Sequence, residues 1–143
     1  MSEKAYTVTL YRNYAYCRLI MRGLIRLTDL IPKGYIPRIV DSQIEEHLTI
    51  FGAVEIAGTK WCGKTWTALS HGKSVSYIDE DYDVAKADPN IVTLGKQPHI
   101  IDEWQLVPAI WDAVRRNVDR ECKLRGGWLL TGSSTPPIKE EER

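Results

Sequence analysis

Cysteine is scarce in this 143-residue chain. Cys17, Cys62 and Cys122 form no CxxC pair, and no Cys/His cluster has zinc-finger spacing. That argues against a disulfide scaffold or a zinc module, and three separate thiols fit a reducing, cytoplasmic setting. Long apolar runs are missing as well: nothing approaches the roughly 18 consecutive apolar residues of a membrane span. Net charge is absent, 19 Lys and Arg balancing 19 Asp and Glu, so a protein that coats nucleic acid by charge alone is not indicated. What is present suffices for one domain with a core, at 43% hydrophobic and 27% charged residues.

The neutral total conceals an asymmetry. Residues 1–40 hold seven Lys and Arg against two acids. Within them Arg18, Arg22 and Arg26 recur every four residues among Leu19, Ile20, Leu24 and Leu27, which predicts a basic amphipathic helix over 14–30, either a solvated extension or a surface for a membrane or partner. The expected organisation is a basic N-terminal extension over 1–34, a domain over 35–136 and a charged tail over 137–143. Ile31–Pro37 reads as a turn-rich linker. Ser42 and Glu45 have capping-box spacing, and Ile44, Leu48 and Phe51 form one apolar stripe stopped by Gly52. After that the period changes. Ala53–Ala57 predicts a buried strand, followed by a glycine-bounded loop and a helix of about two turns ending near Gly72. Further strands are predicted at Ser74–Ile78, Ile91–Leu94, His99–Ile101 and Trp128–Thr131. The acidic stretch Asp79–Asn90 reads as an exposed connection. Pro108 opens a helix whose apolar face is Ile110, Trp111, Val114 and Val118, with Gly126-Gly127 ending it. Strands alternating with helices predict an α/β fold of parallel βαβ units, covered on both faces.

Three segments carry chemistry. The first is Gly58-Thr59-Lys60-Trp61-Cys62-Gly63-Lys64-Thr65, which meets G-x-x-x-x-G-K-[ST] at every fixed position. Residue frequencies predict such a match by chance in about one of 200 chains this long. Glycines let the backbone N–H groups turn inward as an anion-binding nest, and the following helix aims its positive end at a phosphate. Lys64 supplies a point charge for β- and γ-phosphates, and the Thr65 hydroxyl suits Mg²⁺. The second segment is His99-Ile100-Ile101-Asp102-Glu103, a strand ending in two acids. Asp102 at the tip suits Mg²⁺ and Glu103 suits a general base toward water. The third is Leu129-Leu130-Thr131-Gly132-Ser133-Ser134, where a strand tip either offers a hydroxyl to a γ-phosphate or simply turns. Cys62 lies inside the phosphate loop and is either an inert small residue or a thiol whose modification would block nucleotide. Trp61 packs or stacks on a base. Arg115, Arg116 and Arg120 are either a solvated helix face or a source of a phosphate-sensing arginine for a neighbouring subunit.

Together, Tyr35-Ile36-Pro37-Arg38-Ile39-Val40-Asp41, Lys60-Trp61-Cys62-Gly63-Lys64-Thr65, Ile101-Asp102-Glu103-Trp104-Gln105 with Trp111-Asp112-Ala113-Val114-Arg115, and Leu129-Leu130-Thr131-Gly132-Ser133 resemble a prokaryotic family of AAA-type P-loop ATPases. The likeness spans roughly residues 34–136. It implies a P-loop NTPase three-layer α/β/α sandwich with a parallel sheet. It also implies ATP and Mg²⁺ as ligands, the loop Gly58, Thr59, Lys60, Trp61, Cys62, Gly63, Lys64 and Thr65 as the nucleotide cradle, and Thr65 with Asp102 at the metal. Glu103 would be the base beside Lys64, and Ser133 the sensor, with Thr131 competing for that role. Members are typically much longer, so the expectation is a domain truncated at its C-terminal side, without a later arginine finger or second sensor. Two functions therefore stand side by side: an ATP-binding domain that hydrolyses ATP, and a nucleotide-binding module without turnover that acts through a partner or not at all. A homo-oligomer or protein partner remains open.

Overall fold

The computed structural model describes residues 30–133. All but Leu30 of the basic helix predicted over 14–30 lies outside them, as do the tail over 137–143, Cys17 and Ser134.

The elements of the described residues are, in order, α1 (Ile39–Ile50), β1 (Ala53–Gly58), α2 (Lys64–His71), β2 (Ser74–Tyr77), α3 (Tyr82–Ala87), β3 (His99–Asp102), α4 (Ala109–Arg120) and β4 (Trp128–Ser133). The four strands form one sheet in the order β1-β4-β3-β2. All pairs are parallel, and Ala53 and His99 both align with Trp128. Parallel neighbours need crossovers rather than hairpins, and a helix lies between each successive pair of strands.

Strand alternation sorts side chains onto two faces. Val54, Ile56, Val75, Ile100 and Leu129 pack with Ile44 and Leu48 of α1 and Ala68 and Leu69 of α2. Ile101, Trp128 and Leu130 pack on the other face with Ala85 of α3 and Ile110 and Val114 of α4. Helices thus cover both sides of the sheet, the arrangement expected when strands such as His99–Asp102 are buried at every position. Among the described residues no helix is long and apolar enough to cross a membrane.

Several local expectations are corrected. α1 starts earlier than Ser42, after Arg38, and it is Asp41 that caps it by accepting the Arg38 backbone N–H at 2.7 Å. Ser42 lies inside the helix and donates to Ile39 O. Phe51 falls beyond the helix end and is half exposed, so the buried stripe is Ile44 and Leu48 alone. The acidic stretch Asp79–Asn90 is not merely a connection, for α3 forms within it and docks through fully buried Ala85. Acidity on its outer positions hid one small inward contact. Ile91–Thr93 is a 3₁₀ turn instead of a strand. Its backbone is engaged by side chains, since the Trp128 indole donates to Thr93 O at 2.9 Å. α4 stops at Arg120, ahead of Gly126-Gly127. Trp111 is half exposed and stacks 5.1 Å from Trp104.

His99, the first residue of β3, is fully buried beside Ser74 of β2. Its Nδ1 lies 2.6 Å from the Ser74 hydroxyl, which donates to Lys96 O at 2.7 Å, and its Nε2 lies 2.9 Å from Val92 O. Burial pushes its pKa from 6.5 down to about 4, although the Val92 contact favours the charged form. Between those values the unfolded chain holds a proton that the folded chain does not. The stabilisation is therefore complete above pH 6.5 and is lost as pH falls toward 4. The expected size is about 3 kcal/mol. Urea unfolding from pH 7.5 to 4 checks it: that part of the pH slope is expected to disappear in His99→Gln.

Candidate functional site

The candidate residues gather at the carboxyl ends of the strands, where open parallel sheets bind ligands. β1 ends at Gly58, which is in register with Ser133 at the tip of β4. The loop between β1 and α2 reverses through two left-handed residues, Trp61 at φ 65° and Gly63 at φ 87°. Such values suit glycine and strain tryptophan, and the Trp61 indole is turned outward, 91% exposed. Glycine at 58 and 63 is also a matter of space. A Cβ at Gly58 would lie 2.8 Å from Cys62 Sγ, and one at Gly63 would lie 2.4 Å from an Arg38 guanidinium nitrogen.

Lys64 begins α2 and folds its side chain back across the loop. Its ammonium donates to Gly58 O at 3.1 Å and Thr59 O at 2.7 Å, and the residue is only 7% exposed. Its hydrogen bonds thus go to two carbonyl oxygens of the loop and, at 3.9 Å, to the Cys62 sulfur. Thr65 points toward β3, and its hydroxyl donates to Asp102 Oδ1 at 2.7 Å. The two residues are 37 positions apart in the chain.

Thr131 and Ser133 occupy different surroundings on β4. Thr131 is fully buried and donates its hydroxyl to the same Asp102 oxygen at 2.7 Å, while accepting the Glu103 backbone N–H at 3.1 Å. One side chain of β4 therefore positions both acids of β3. Ser133, two residues on and on the same side of the strand, stands level with Gly58. Glu103 itself has a left-handed backbone, φ 60°, which turns the chain sharply off the strand end. Its carboxylate accepts a hydrogen bond from the Gln105 amide. Trp104 reaches over Gly132 and donates to Glu55 at 2.8 Å, and a Cβ at Gly132 would meet its indole nitrogen at 2.9 Å. Spacing alone carried no signal for the roles of Thr131 and Gln105, since both contacts depend on which strands become neighbours and where the chain turns.

Burial raises the Asp102 pKa, helped by the charges of Glu103 and Asp79 and opposed by the hydroxyls of Thr131 and Thr65. A cation beside this carboxylate would reverse that penalty. The donor set fits Mg²⁺: Thr65 Oγ1 and Asp102 Oδ1 are hard oxygens side by side, and Mg²⁺ characteristically takes one or two protein oxygens and completes its shell with phosphate and water. Among the described residues no group of three or more His, Cys, Asp or Glu side chains that could hold a metal ion occurs.

The remaining candidates are dispersed. Arg115 pairs with Asp112 and Asp119 on exposed α4, on the sheet face opposite α2. His71, at the end of α2, meets Asp41 Oδ1 at 3.0 Å. Cys62 is an exposed thiol with Sγ 3.9 Å from Lys64 Nζ. Alkylating Cys62 in a chain with Cys17 and Cys122 replaced by serine is expected to abolish Mg-ATP binding, because the adduct would occupy the loop's interior beside the ammonium. Unchanged affinity of the alkylated chain, measured by tryptophan emission, would contradict this.

Comparison of the chain with protein-family models, with curated proteins and with solved structures finds no match. At this level the molecule is an α/β protein with a four-stranded parallel sheet, compatible with a Rossmann-like fold.

Proposed function

We propose that this chain is the ATP-binding domain of an AAA-type P-loop ATPase, binding Mg-ATP and hydrolysing it to ADP and phosphate. The observation that carries the reading is the 2.7 Å hydrogen bond from Thr65 to Asp102. It joins the last residue of the glycine-lysine-threonine motif to the acid at a separate strand tip, the two groups that such chemistry needs together.

In this reading the loop N–H groups cradle the phosphates and Lys64 lends its charge to the β- and γ-phosphates, exchanging the two carbonyls it now contacts for phosphate oxygens. Thr65 and Asp102 would hold Mg²⁺, which when bound neutralises phosphate charge. Glu103 accepts a proton from the attacking water as general base. Gln105 and Thr131 fix that residue by its carboxylate and its backbone N–H. Ser133, level with the start of the loop, is the candidate to sense the γ-phosphate. The base and its positioning contacts favour hydrolysis over a module that only binds.

The test is a titration of the purified chain with Mg-ATP, followed by tryptophan emission from Trp61 and Trp66, and then a phosphate-release assay. Saturable binding with turnover supports the reading. Binding without turnover would make the chain a nucleotide-binding module that acts through a partner. A folded chain that does not bind would overturn both.

A further inference from the structure

Arg38 lies outside the phosphate loop's own motif, yet its side chain lies directly against the loop. It caps the start of α1, and its Nη1 donates to Cys62 O at 2.7 Å. The three atoms nearest to a Cβ built at Gly63 are all in its guanidinium, at 2.4 to 2.9 Å. Glycine at 63 is therefore what admits the guanidinium to this position.

The bond to Cys62 O has a geometrical consequence. Across a planar trans peptide, the carbonyl of one residue and the N–H of the next point in opposite directions. Holding Cys62 O outward, toward Arg38, turns the Gly63 N–H to the other side of the peptide plane. In an anion nest, the direction of each N–H determines whether it can meet the ligand. Gly63 has little intrinsic preference to hold that orientation, because glycine is the most conformationally free residue.

Arg38 is itself held. Asp41 accepts the Arg38 backbone N–H at 2.7 Å, the Tyr35 hydroxyl at 2.7 Å and His71 Nε2 at 3.0 Å. Burial works against the charge on Asp41, but these three hydrogen bonds outweigh it and keep the carboxyl below its ordinary range. His71 is the last residue of α2, and Cys62 comes two residues before its first. The N-terminus of α1 thus grips α2 near both ends, through Asp41 at one and Arg38 at the other.

We infer that Arg38 is a positioning residue for phosphate binding, acting through Cys62 O to set the orientation of the Gly63 N–H before nucleotide arrives. This rests on the nucleotide-binding reading above and deepens it. The full chain is compared with Lys64→Ala, Arg38→Met and Arg38→Lys. Methionine keeps an apolar stem without a donor, and lysine restores a donor long enough to reach the carbonyl. Mg-ATP affinity is read by tryptophan emission, and the Gly63 amide by ¹H–¹⁵N spectra of the nucleotide-free protein.

Losing a charged hydrogen bond is expected to weaken Mg-ATP binding about tenfold or more in Arg38→Met. The Gly63 amide is expected to shift or broaden in that variant, and both effects are expected to recover in Arg38→Lys. Wild-type affinity in Arg38→Met with an unmoved Gly63 amide overturns the inference while leaving the nucleotide reading intact, provided Lys64→Ala still abolishes binding. Weak binding with an unmoved amide also overturns it, since that pattern belongs to a direct charge on phosphate. Failure of the wild type to bind Mg-ATP overturns the nucleotide reading, and the Gly63 amide then still decides whether Arg38 orients the loop.

Discussion

Lys64→Ala is expected to lower Mg-ATP affinity by about 100-fold or more, since each hydrogen bond to a charged group contributes about 1.5–3 kcal/mol and Lys64 would face more than one phosphate oxygen. The structure supplies the reason for so large an effect. The ammonium is almost wholly buried, and among the described residues its hydrogen bonds go to Gly58 O, Thr59 O and the Cys62 sulfur. It is desolvated and poised over the loop, so little reorganisation opposes its transfer to phosphate. The measurement is a tryptophan-emission titration, with Trp61 and Trp66 at 91% and 50% exposure as reporters. An affinity within a few-fold of wild type would remove the loop from the binding site.

Glu103→Gln is the second large effect, and it separates chemistry from binding. The substitution keeps the side chain's shape and leaves a carbonyl oxygen to accept from Gln105. The backbone N–H still donates to Thr131. What is lost is the capacity to take a proton from water. Turnover is expected to fall about 10²–10⁴-fold, the usual contribution of a positioned general base, while Mg-ATP affinity stays near the wild-type value. A phosphate-release assay alongside the emission titration reads both. Unchanged turnover in Glu103→Gln would mean that another group, or water alone, accepts the proton. A parallel loss of affinity would mean that Glu103 holds the loop or metal rather than serving as base.

How much of this was legible in the chain varies with the range of the interaction. The β1–loop–α2 unit was readable because its signals are local: an apolar run, two glycines at fixed spacing and a C-terminal glycine at 72. β3 and its two acids were readable for the same reason. α3 was missed because its docking rests on Ala85 alone, too weak a pattern among five acids. The turn at Ile91–Thr93 was misread as a strand because a short apolar run looks the same in either state. Thr131 and Ser133 could not be separated by spacing, since the difference lies in which one has Asp102 beside it. Arg38 had no chemical signal at all, being 24 positions from the carbonyl it contacts.

The amino-acid sequence by itself determined most of the elements, from α1 and β1 through α2, β3, α4 and β4, and the residue types of the candidate phosphate loop, because backbone dihedrals and side-chain period are set within a few residues. Only the tertiary structure decided the strand order. Nothing local says that β4, the last of the described strands, inserts between β1 and β3. That insertion lays Thr131 against Asp102 and Glu103, lets Thr65 meet Asp102 at the sheet's end, and brings Ser133 level with Gly58. These contacts depend on pairing and burial across long stretches of chain, where the free energy belongs to the packed whole and no short segment encodes it.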